Sequence, residues 1–283
     1  MSKQIESRQV ANDGHQADGY ATNDVIEIEN IVLEYSASDT RVIDGESVSI
    51  PEGRVTALVG PNGSGKSTLL KGIANRLAPT NGTVLLDGRA VHEFDSKELA
   101  RRMGLLSQEH EAPSTLTVEG LAYHGRYPHR GFFESVSRED KVAVERALYL
   151  AGVRDLRDRE IESLSGGQKQ LAWVAMVLAQ ETDVLLLDEP TTFLDLEHQL
   201  QVMEIVETLR VNSEITVVLV LHDVTLAGRY SDHMIALSDG EITAEGTPDS
   251  VMTSNMFENV FNVSVTVDTH NGSPRITPES SLE

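Results

Sequence analysis

The chain has 283 residues, of which 40% are hydrophobic, and its 45 acidic and 23 basic residues give a net charge of −22 at pH 7. This size and apolar content allow a sizeable core in one large domain or two modest ones. The negative charge disfavours binding to nucleic acid, the absence of cysteine excludes disulfides and thiolate sites, and no apolar run approaches the roughly 18 residues of a membrane span.

The acidic residues are spread along the whole chain, and most of the positive charge is carried by arginine. Two interpretations are open: an ordinary acidic protein, or adaptation to a salt-rich cytoplasm that screens the self-repulsion. We favour adaptation to salt, as in a halophilic archaeon, because the net charge far exceeds the magnitude of about 2–8 suggested for a small domain.

The first third of the chain predicts mostly strands. Residues 1–24 are polar and are expected to be disordered. Strands are predicted over 25–28, 31–35, 41–50 and 55–59, followed by a helix over 68–77 and a strand over 83–87. Asp95 begins a capping-box pattern and therefore predicts the start of a helix, after which a strand is predicted over 103–107.

The remainder alternates helices with strands after a helical insertion. Residues 109–165 contain several prolines and a predicted helix that begins at Ser137. A helix over 168–180, a strand over 184–188, a helix over 196–211 and a strand over 216–221 follow, and this alternation predicts a parallel sheet covered on both faces. A short helix over 251–260 and a weak strand over 263–267 precede a polar tail, 269–283.

A glycine-rich segment directly follows the predicted strand 55–59. Its spacing is that of a phosphate-binding loop, in which backbone N–H groups and the start of the next helix face phosphate oxygens. Lys66 is expected to reach the β- and γ-phosphates of ATP, and Ser67 to bind Mg²⁺. The loop consists of Gly60, Pro61, Asn62, Gly63, Ser64, Gly65, Lys66, Ser67 and Thr68.

Two further motifs complete the chemistry. The apolar run 184–187 ends in Asp188 and Glu189, which are placed to hold Mg²⁺ through water and to orient or deprotonate an attacking water; the alternative is a strand-end acid that caps a helix. The second motif opens a helix with free N–H donors for a phosphate, or is an ordinary serine cap. Its residues are Leu164, Ser165, Gly166, Gly167 and Gln168.

With these three motifs in this order, residues 25–265 resemble the nucleotide-binding subunit of ATP-binding-cassette (ABC) transporters. The resemblance implies an α/β P-loop NTPase core of RecA type with a mainly parallel sheet, an N-terminal antiparallel β subdomain and a helical insertion. It divides an ATPase domain, 25–268, into a core (25–108 and 166–246), a helical subdomain (109–165) with the signature at its end, and a C-terminal helix and strand (247–268).

The resemblance also implies roles for single residues. Tyr35 would stack on adenine, with a place in the core as the alternative; Gln108 would sense Mg²⁺ and water. Asp195 would link the two sites of a dimer, and His222 would contact the γ-phosphate. Residues 165–168 of one subunit would close over the ATP of another, so a second copy or a paralogous cassette is the expected partner.

Three segments are similar to those of iron(III)–siderophore importers: 125–129, 172–173 and 191–199. Cobalamin and haem importers remain the alternatives, and Leu171 departs from the arginine common at this position. This subfamily implies transmembrane permease subunits as partners, indirect contact with an external binding protein, and a place on the cytoplasmic face of the membrane.

Three other classes compete with this interpretation. A P-loop GTPase would carry an Asn-Lys-x-Asp segment, which does not occur. A soluble cassette ATPase usually joins two cassettes in one chain or inserts a long coiled coil, and this chain does neither. A degenerate cassette that binds ATP without hydrolysis would lack some of Lys66, Asp188, Glu189 and His222.

Overall fold

The computed structural model describes residues 24–35, 40–108, 110, 113, 115–131 and 134–282. The expected N-terminal extension therefore lies outside the described residues, apart from Asp24, which begins the first strand. The strands are β1 (Asp24–Tyr35), β2 (Thr40–Pro51), β3 (Val55–Val59), β4 (Asn81–Leu86), β5 (Arg89–Ala90), β6 (Met103–Leu106), β7 (Val184–Asp188), β8 (Thr216–Val220), β9 (His233–Ser238), β10 (Glu241–Gly246), β11 (Val263–His270) and β12 (Ser273–Ser281).

The helices lie between these strands and cover the largest sheet. They are α1 (Lys66–Ile73), α2 (Ser96–Arg102), α3 (Val118–His124), α4 (Arg138–Leu150), α5 (Gly166–Leu178), α6 (Leu196–Asn212), α7 (Val224–Tyr230), α8 (Pro248–Val251) and α9 (Ser254–Phe261). Short 3₁₀ turns occur at Val91–Glu93, Tyr127–His129, Arg154–Leu156 and Ile161–Ser163. No helix among the described residues is both long enough and apolar enough to cross a bilayer.

The central sheet has the strand order β10-β9-β3-β8-β7-β6. Its strands run parallel except β10, which pairs antiparallel with β9. A second, antiparallel sheet has the order β2-β1-β4-β5, and β11 and β12 form a separate hairpin. The predicted fold class, a parallel core with an antiparallel β subdomain and a helical insertion that contains α3 and α4, is confirmed.

The apolar side chains of the central sheet alternate between two cores. Leu185 and Leu187 of β7 belong to a core that includes the helical insertion and the C-terminal segment. Leu186, between them, belongs to a second core with α1 and the antiparallel sheet. Because both faces of the strand are buried, its sequence is a continuous apolar run, as is usual in parallel sheets covered on both sides.

Two hairpins differ from the sequence predictions. No strand is predicted over 222–246, yet β9 and β10 lie there, and the supposed tail from residue 269 contributes β12. The hairpin turns are Asp239-Gly240 and Asn271-Gly272, and all four residues have positive φ. These dipeptides are strong signals for a two-residue hairpin turn, so each hairpin has a local indication in the sequence.

Other differences are local. The strands predicted over 25–28 and 31–35 are one strand, β1, whose pairing with β2 shifts register around Asn30, a residue with φ of 46°. Helix α1 ends at Ile73 and not at residue 77, because Asn75 takes a left-handed conformation. The single helix predicted over 251–260 is divided into α8 and α9.

Candidate active site

A cavity of about 580 Å³ lies beyond the carboxyl ends of β3, β6, β7 and β8. Parallel sheets bind ligands at this edge, because the loops that leave neighbouring strands meet there. The loops after these four strands each contribute lining residues. The cavity is lined by Val42, Asn62, Gly63, Gly65, Lys66, Ser67, Thr68, Gln108, Glu189, Thr192, Phe193 and His222.

The glycine-rich loop leaves β3 through a turn that excludes a side chain. Gly60 has φ of 149°, and a Cβ added to it would lie 2.1 Å from the carbonyl oxygen of Leu237. The turn ends at Gly65, which has φ of 100° and precedes the first residue of α1. The loop therefore directs its backbone and the positive end of the α1 dipole at the cavity.

Lys66 carries the positive charge of the loop in a nearly buried position, with 4% of its surface exposed. Its Nζ donates hydrogen bonds to the carbonyl oxygens of Gly60 at 2.9 Å and Pro61 at 2.8 Å. Burial lowers the pKa of Lys66, while the nearby charges of Glu189 and Asp188 act in the opposite direction. The ammonium group is thus held by the loop itself at the border of the cavity.

Ser67 and Asp188 form an oxygen pair next to this lysine. The Ser67 hydroxyl donates to Asp188 Oδ1 at 2.7 Å. Burial raises the pKa of Asp188, and the hydrogen bond from Ser67 opposes that rise. A hydroxyl and a carboxylate are suitable ligands for a hard cation such as Mg²⁺.

Among the residues that the structure describes, no group of three or more His, Cys, Asp or Glu side chains could hold a metal ion. Mg²⁺ commonly takes one or two protein ligands and completes its shell with water and substrate phosphates. The Ser67–Asp188 pair therefore fits a magnesium ion that arrives with a nucleotide, and it does not resemble a cage built only from protein.

Glu189 receives three polar side chains on its two carboxylate oxygens. His222 Nε2 lies 2.7 Å from Oε1, Gln108 Nε2 donates to Oε2 at 2.7 Å, and the Thr192 hydroxyl donates to Oε2 at 3.1 Å. The side chain of Glu189 is only 9% exposed, and its backbone has φ of 52°. This positive φ turns the chain sharply after β7 and leaves the carboxylate at the cavity wall.

The remaining sequence-predicted residues lie outside this cluster. Within the described part of the chain, residues 165–168, Tyr35 and Asp195 are not among those that line the cavity. Ser165 caps α5 through a reciprocal capping box with Gln168. The Tyr35 hydroxyl lies 3.4 Å from Thr68 Oγ1, which places this aromatic side chain beside the start of α1.

Asp195 caps α6 and accepts hydrogen bonds from His198. The backbone hydrogen bond from His198 is the main cause that lowers the pKa of Asp195, and the His198 side chain adds to it. Phe193, two residues earlier, is fully exposed and has φ of 62°. The segment 193–195 therefore projects from the protein surface, while its last residue, Asp195, is fixed to the start of α6.

Three residues that line the cavity have no role predicted from the sequence: Val42, Thr192 and Phe193. Val42 lies on β2, outside the glycine-rich loop, and lies against Gly65 at the end of that loop. Thr192 is in the segment 191–199, but no sequence pattern shows that its hydroxyl contacts Glu189.

Residues 43–192 match the ABC transporter family. The probable siderophore transport system ATP-binding protein YusV of Bacillus subtilis is 45% identical to this chain over 255 residues, which are 89% of this chain and 92% of the relative. The ferric enterobactin transport ATP-binding protein FepC of Escherichia coli is 43% identical, with coverage of 84% and 88%. The dimeric structure of a bacterial ABC transporter cassette aligns with a TM-score of 0.70 and 28% identity, over 78% of this chain and 98% of that chain.

Proposed function

The chain belongs to the ABC transporter family and is an ATPase, and on this premise we propose that it drives an importer of iron(III)–siderophore complexes as one half of a cassette dimer. The names of YusV and FepC, at 45% and 43% identity, support siderophore uptake. The observation that carries the hydrolytic role is the carboxylate of Glu189, which three polar side chains surround at the wall of the cavity that the glycine-rich loop lines.

The glycine-rich loop is proposed to hold the phosphates of ATP. In this structure the Lys66 ammonium donates hydrogen bonds to the carbonyl oxygens of Gly60 and Pro61. When ATP binds, phosphate oxygens would replace these carbonyl oxygens as its hydrogen-bond acceptors. The α1 dipole and the loop N–H groups add attraction for the same anion. Gly60 has a structural reason to be glycine, since any Cβ would collide with β9.

Glu189 is proposed to orient the attacking water and to accept its proton. The water oxygen bonds to the γ-phosphorus while the bond from that phosphorus to the β–γ bridging oxygen breaks, and ADP leaves with the electron pair. Gln108 and His222 contact opposite oxygens of the Glu189 carboxylate and hold it in one orientation. His222 is 40% exposed on its side chain, so it remains accessible to the γ-phosphate.

Ser67 and Asp188 are proposed to hold Mg²⁺, Ser67 directly and Asp188 through water. When bound, the ion neutralises phosphate charge that develops during the transfer. Without the ion, the buried Asp188 carboxylate accepts a hydrogen bond from the Ser67 hydroxyl.

The signature segment, residues 165–168, is proposed to act on the ATP of a second subunit. It begins α5 at an exposed position outside the cavity of its own chain. Two large apolar side chains that flank Asp195, Phe193 and Leu196, are 100% and 71% exposed. Exposed apolar side chains of this size suit a surface that another protein covers.

The permease would provide the transmembrane path, and this chain would bind peripherally at its cytoplasmic side. The segments 125–129 and 172–173 resemble those of siderophore importers. Within the part of the chain that the structure describes, neither segment lines the cavity. Their similarity therefore bears on the transport system to which the chain belongs and not on the chemistry of ATP.

The variant Glu189→Gln tests the hydrolytic role. It removes the proton acceptor but keeps the size of the side chain, and we expect ATP to bind while turnover falls at least about 100-fold. Light scattering after gel filtration should show an ATP-dependent dimer. The matched control, Glu214→Gln, changes an exposed carboxylate and should hydrolyse ATP normally. Turnover by Glu189→Gln at the wild-type rate would refute the assigned role.

The transported molecule requires a separate experiment. The chain should be purified from native membranes together with its permease, and the complex reconstituted into vesicles. We expect ATP-dependent uptake of an iron(III)–siderophore complex delivered by its binding protein. Uptake of cobalamin or haem without siderophore uptake would contradict the substrate proposal and leave the ATPase assignment in place.

A further inference from the structure

The imidazole of His198 is fixed on the carboxylate of Asp195. His198 is the third residue of α6, and its Nδ1 lies 2.6 Å from Asp195 Oδ1. The same oxygen accepts a hydrogen bond from the backbone N–H of His198 at 3.0 Å. The histidine side chain is 19% exposed and that of Asp195 is 67% exposed. The ring is therefore largely covered, although its partner faces solvent.

Gly167 of the signature segment covers the ring. A Cβ added to Gly167 would lie 2.2 Å from Cγ, 2.3 Å from Cδ2 and 2.6 Å from Nδ1 of His198. At the neighbouring Gly166, an added Cβ would meet open space. The His198 ring thus occupies the place of a side chain at the second signature glycine, and packing within one chain requires glycine there.

This contact joins the starts of two helices. Ser165 fixes the start of α5 through its capping box, and Asp195 fixes the start of α6. His198 is hydrogen-bonded to the second cap and packed on the first turn of α5. In the proposed dimer, both of these starts face the other subunit, one through the signature and the other through Asp195.

We propose that His198 is a positioning residue that holds Asp195 and the signature helix in a fixed relation, so that both segments meet the second subunit together when ATP is bound. This role rests on the proposed cassette dimer. His198 does not act on the nucleotide of its own chain, because within the described residues it is not among those that line the cavity.

Two replacements at His198 separate its hydrogen bond from its bulk. His198→Asn keeps an N–H group near the position of Nδ1, while His198→Leu fills similar space without a donor. Each is combined with Glu189→Gln, and the protein concentration at which ATP produces half-maximal dimer is measured. We expect His198→Leu to raise that concentration about tenfold, a loss typical of one hydrogen bond to a charged group. His198→Asn should restore most of the association.

Binding of ADP to the monomer supplies the readout that a general structural defect would change. Its Kd should stay within a factor of about two in every His198 variant, since the glycine-rich loop is untouched. The control His92→Asn replaces an exposed histidine and should change neither quantity. The proposal would be overturned if His198→Leu formed dimer at the same protein concentration as the Glu189→Gln parent. It would also be overturned if His198→Asn needed as high a concentration as His198→Leu.

A double-mutant cycle tests the contact itself. Gly167→Ala should displace the His198 ring, so Gly167→Ala combined with His198→Ala is expected to lose no more association than Gly167→Ala alone. If the fold losses of dimer association in the two single variants multiply in the double variant, the two residues act independently and the proposal is refuted. If Glu189→Gln alone forms no ATP-dependent dimer, the proposed dimer itself fails, which distinguishes that result from a failure confined to His198.

Discussion

Replacement of Arg126 by methionine is expected to destabilise the helical subdomain. Arg126 follows α3, and its side chain is only 5% exposed. Its Nε donates to Asp140 Oδ1 at 3.0 Å, and its Nη1 donates to the carbonyl oxygen of Ala179 at 2.8 Å and to Glu181 Oε2 at 3.0 Å. One guanidinium therefore connects the end of α3 with the first turn of α4 and the residues after α5.

The magnitude follows from what the replacement leaves behind. Asp140 is 3% exposed and would lose its charged partner, a change that costs about 3–5 kcal/mol for a buried pair. Asp140 keeps a hydrogen bond from the Ser137 backbone at 2.9 Å and the α4 dipole, so we expect the lower end, about 3 kcal/mol. For a domain of this size, that lowers the melting temperature by roughly 6–12 °C.

The pH dependence has a definite sign. Burial pushes the pKa of Asp140 up, but hydrogen bonds from Ser137 and Arg126 outweigh it, and the pKa lies below its ordinary value of 3.8. A lowered pKa in the folded state stabilises the protein above the unfolded pKa, and this contribution is lost as pH falls through the folded value. The difference in unfolding free energy between the wild type and Arg126→Met should therefore become smaller as pH falls below about 4.

Thermal and urea unfolding measure the effect against a matched control. Arg102→Met removes an arginine that pairs with Asp87 and Asp183 but is 39% exposed, and it should cost only about 0–1 kcal/mol. Adding Asp140→Asn to Arg126→Met should recover part of the loss, since it removes the uncompensated charge. Equal unfolding free energies for Arg126→Met and Arg102→Met would refute the reasoning.

Two further predictions concern charge. Asp188→Asn should raise the melting temperature of the nucleotide-free protein at neutral pH and abolish Mg²⁺-dependent ATP hydrolysis. Burial raises the pKa of Asp188, so its ionised form opposes folding above that pKa, and the gain should vanish in melts below about pH 4; a lower melting temperature than wild type at pH 8 would contradict this. Molar KCl should raise both melting temperature and ATPase activity of this chain of net charge −22, whereas full stability and activity in dilute buffer would count against it.

Most of the central sheet could be predicted from the sequence because its signals are local. The apolar run of β7, the capping boxes at Ser137 and Ser165, and the loop before α1 each carry their structure within a few residues. The hairpins β9–β10 and β11–β12 also carry a local signal in their Asp-Gly and Asn-Gly turns. The polar strands β10 and β12 carry little apolar pattern of their own, whereas β9 has a short buried apolar run, so the turn is the stronger indication of both hairpins.

The site was predictable to the extent that strand ends and motifs specify it. The resemblance to ABC transporters leads to Gln108, Glu189 and His222, and the structure brings their side chains together. The contact between His198 and Gly167 depends on how α5 and α6 pack, and no sequence spacing expresses it. Val42 likewise reaches the cavity because β2 packs against Gly65, a tertiary contact that no sequence spacing expresses.

The net charge and the proposed dimer oppose each other. Two chains of charge −22 repel when they approach, and at about 0.1 M salt the screening length is roughly 10 Å, against about 3 Å at 1 M. The exposed side chains of Phe193 and Leu196 would contribute apolar burial at the contact, which salt does not weaken. Nucleotide binding to one chain depends on the charge of Lys66, which is nearly buried and therefore less subject to screening by salt. Salt should therefore act on the closure of two cassettes far more than on the affinity of each one for nucleotide.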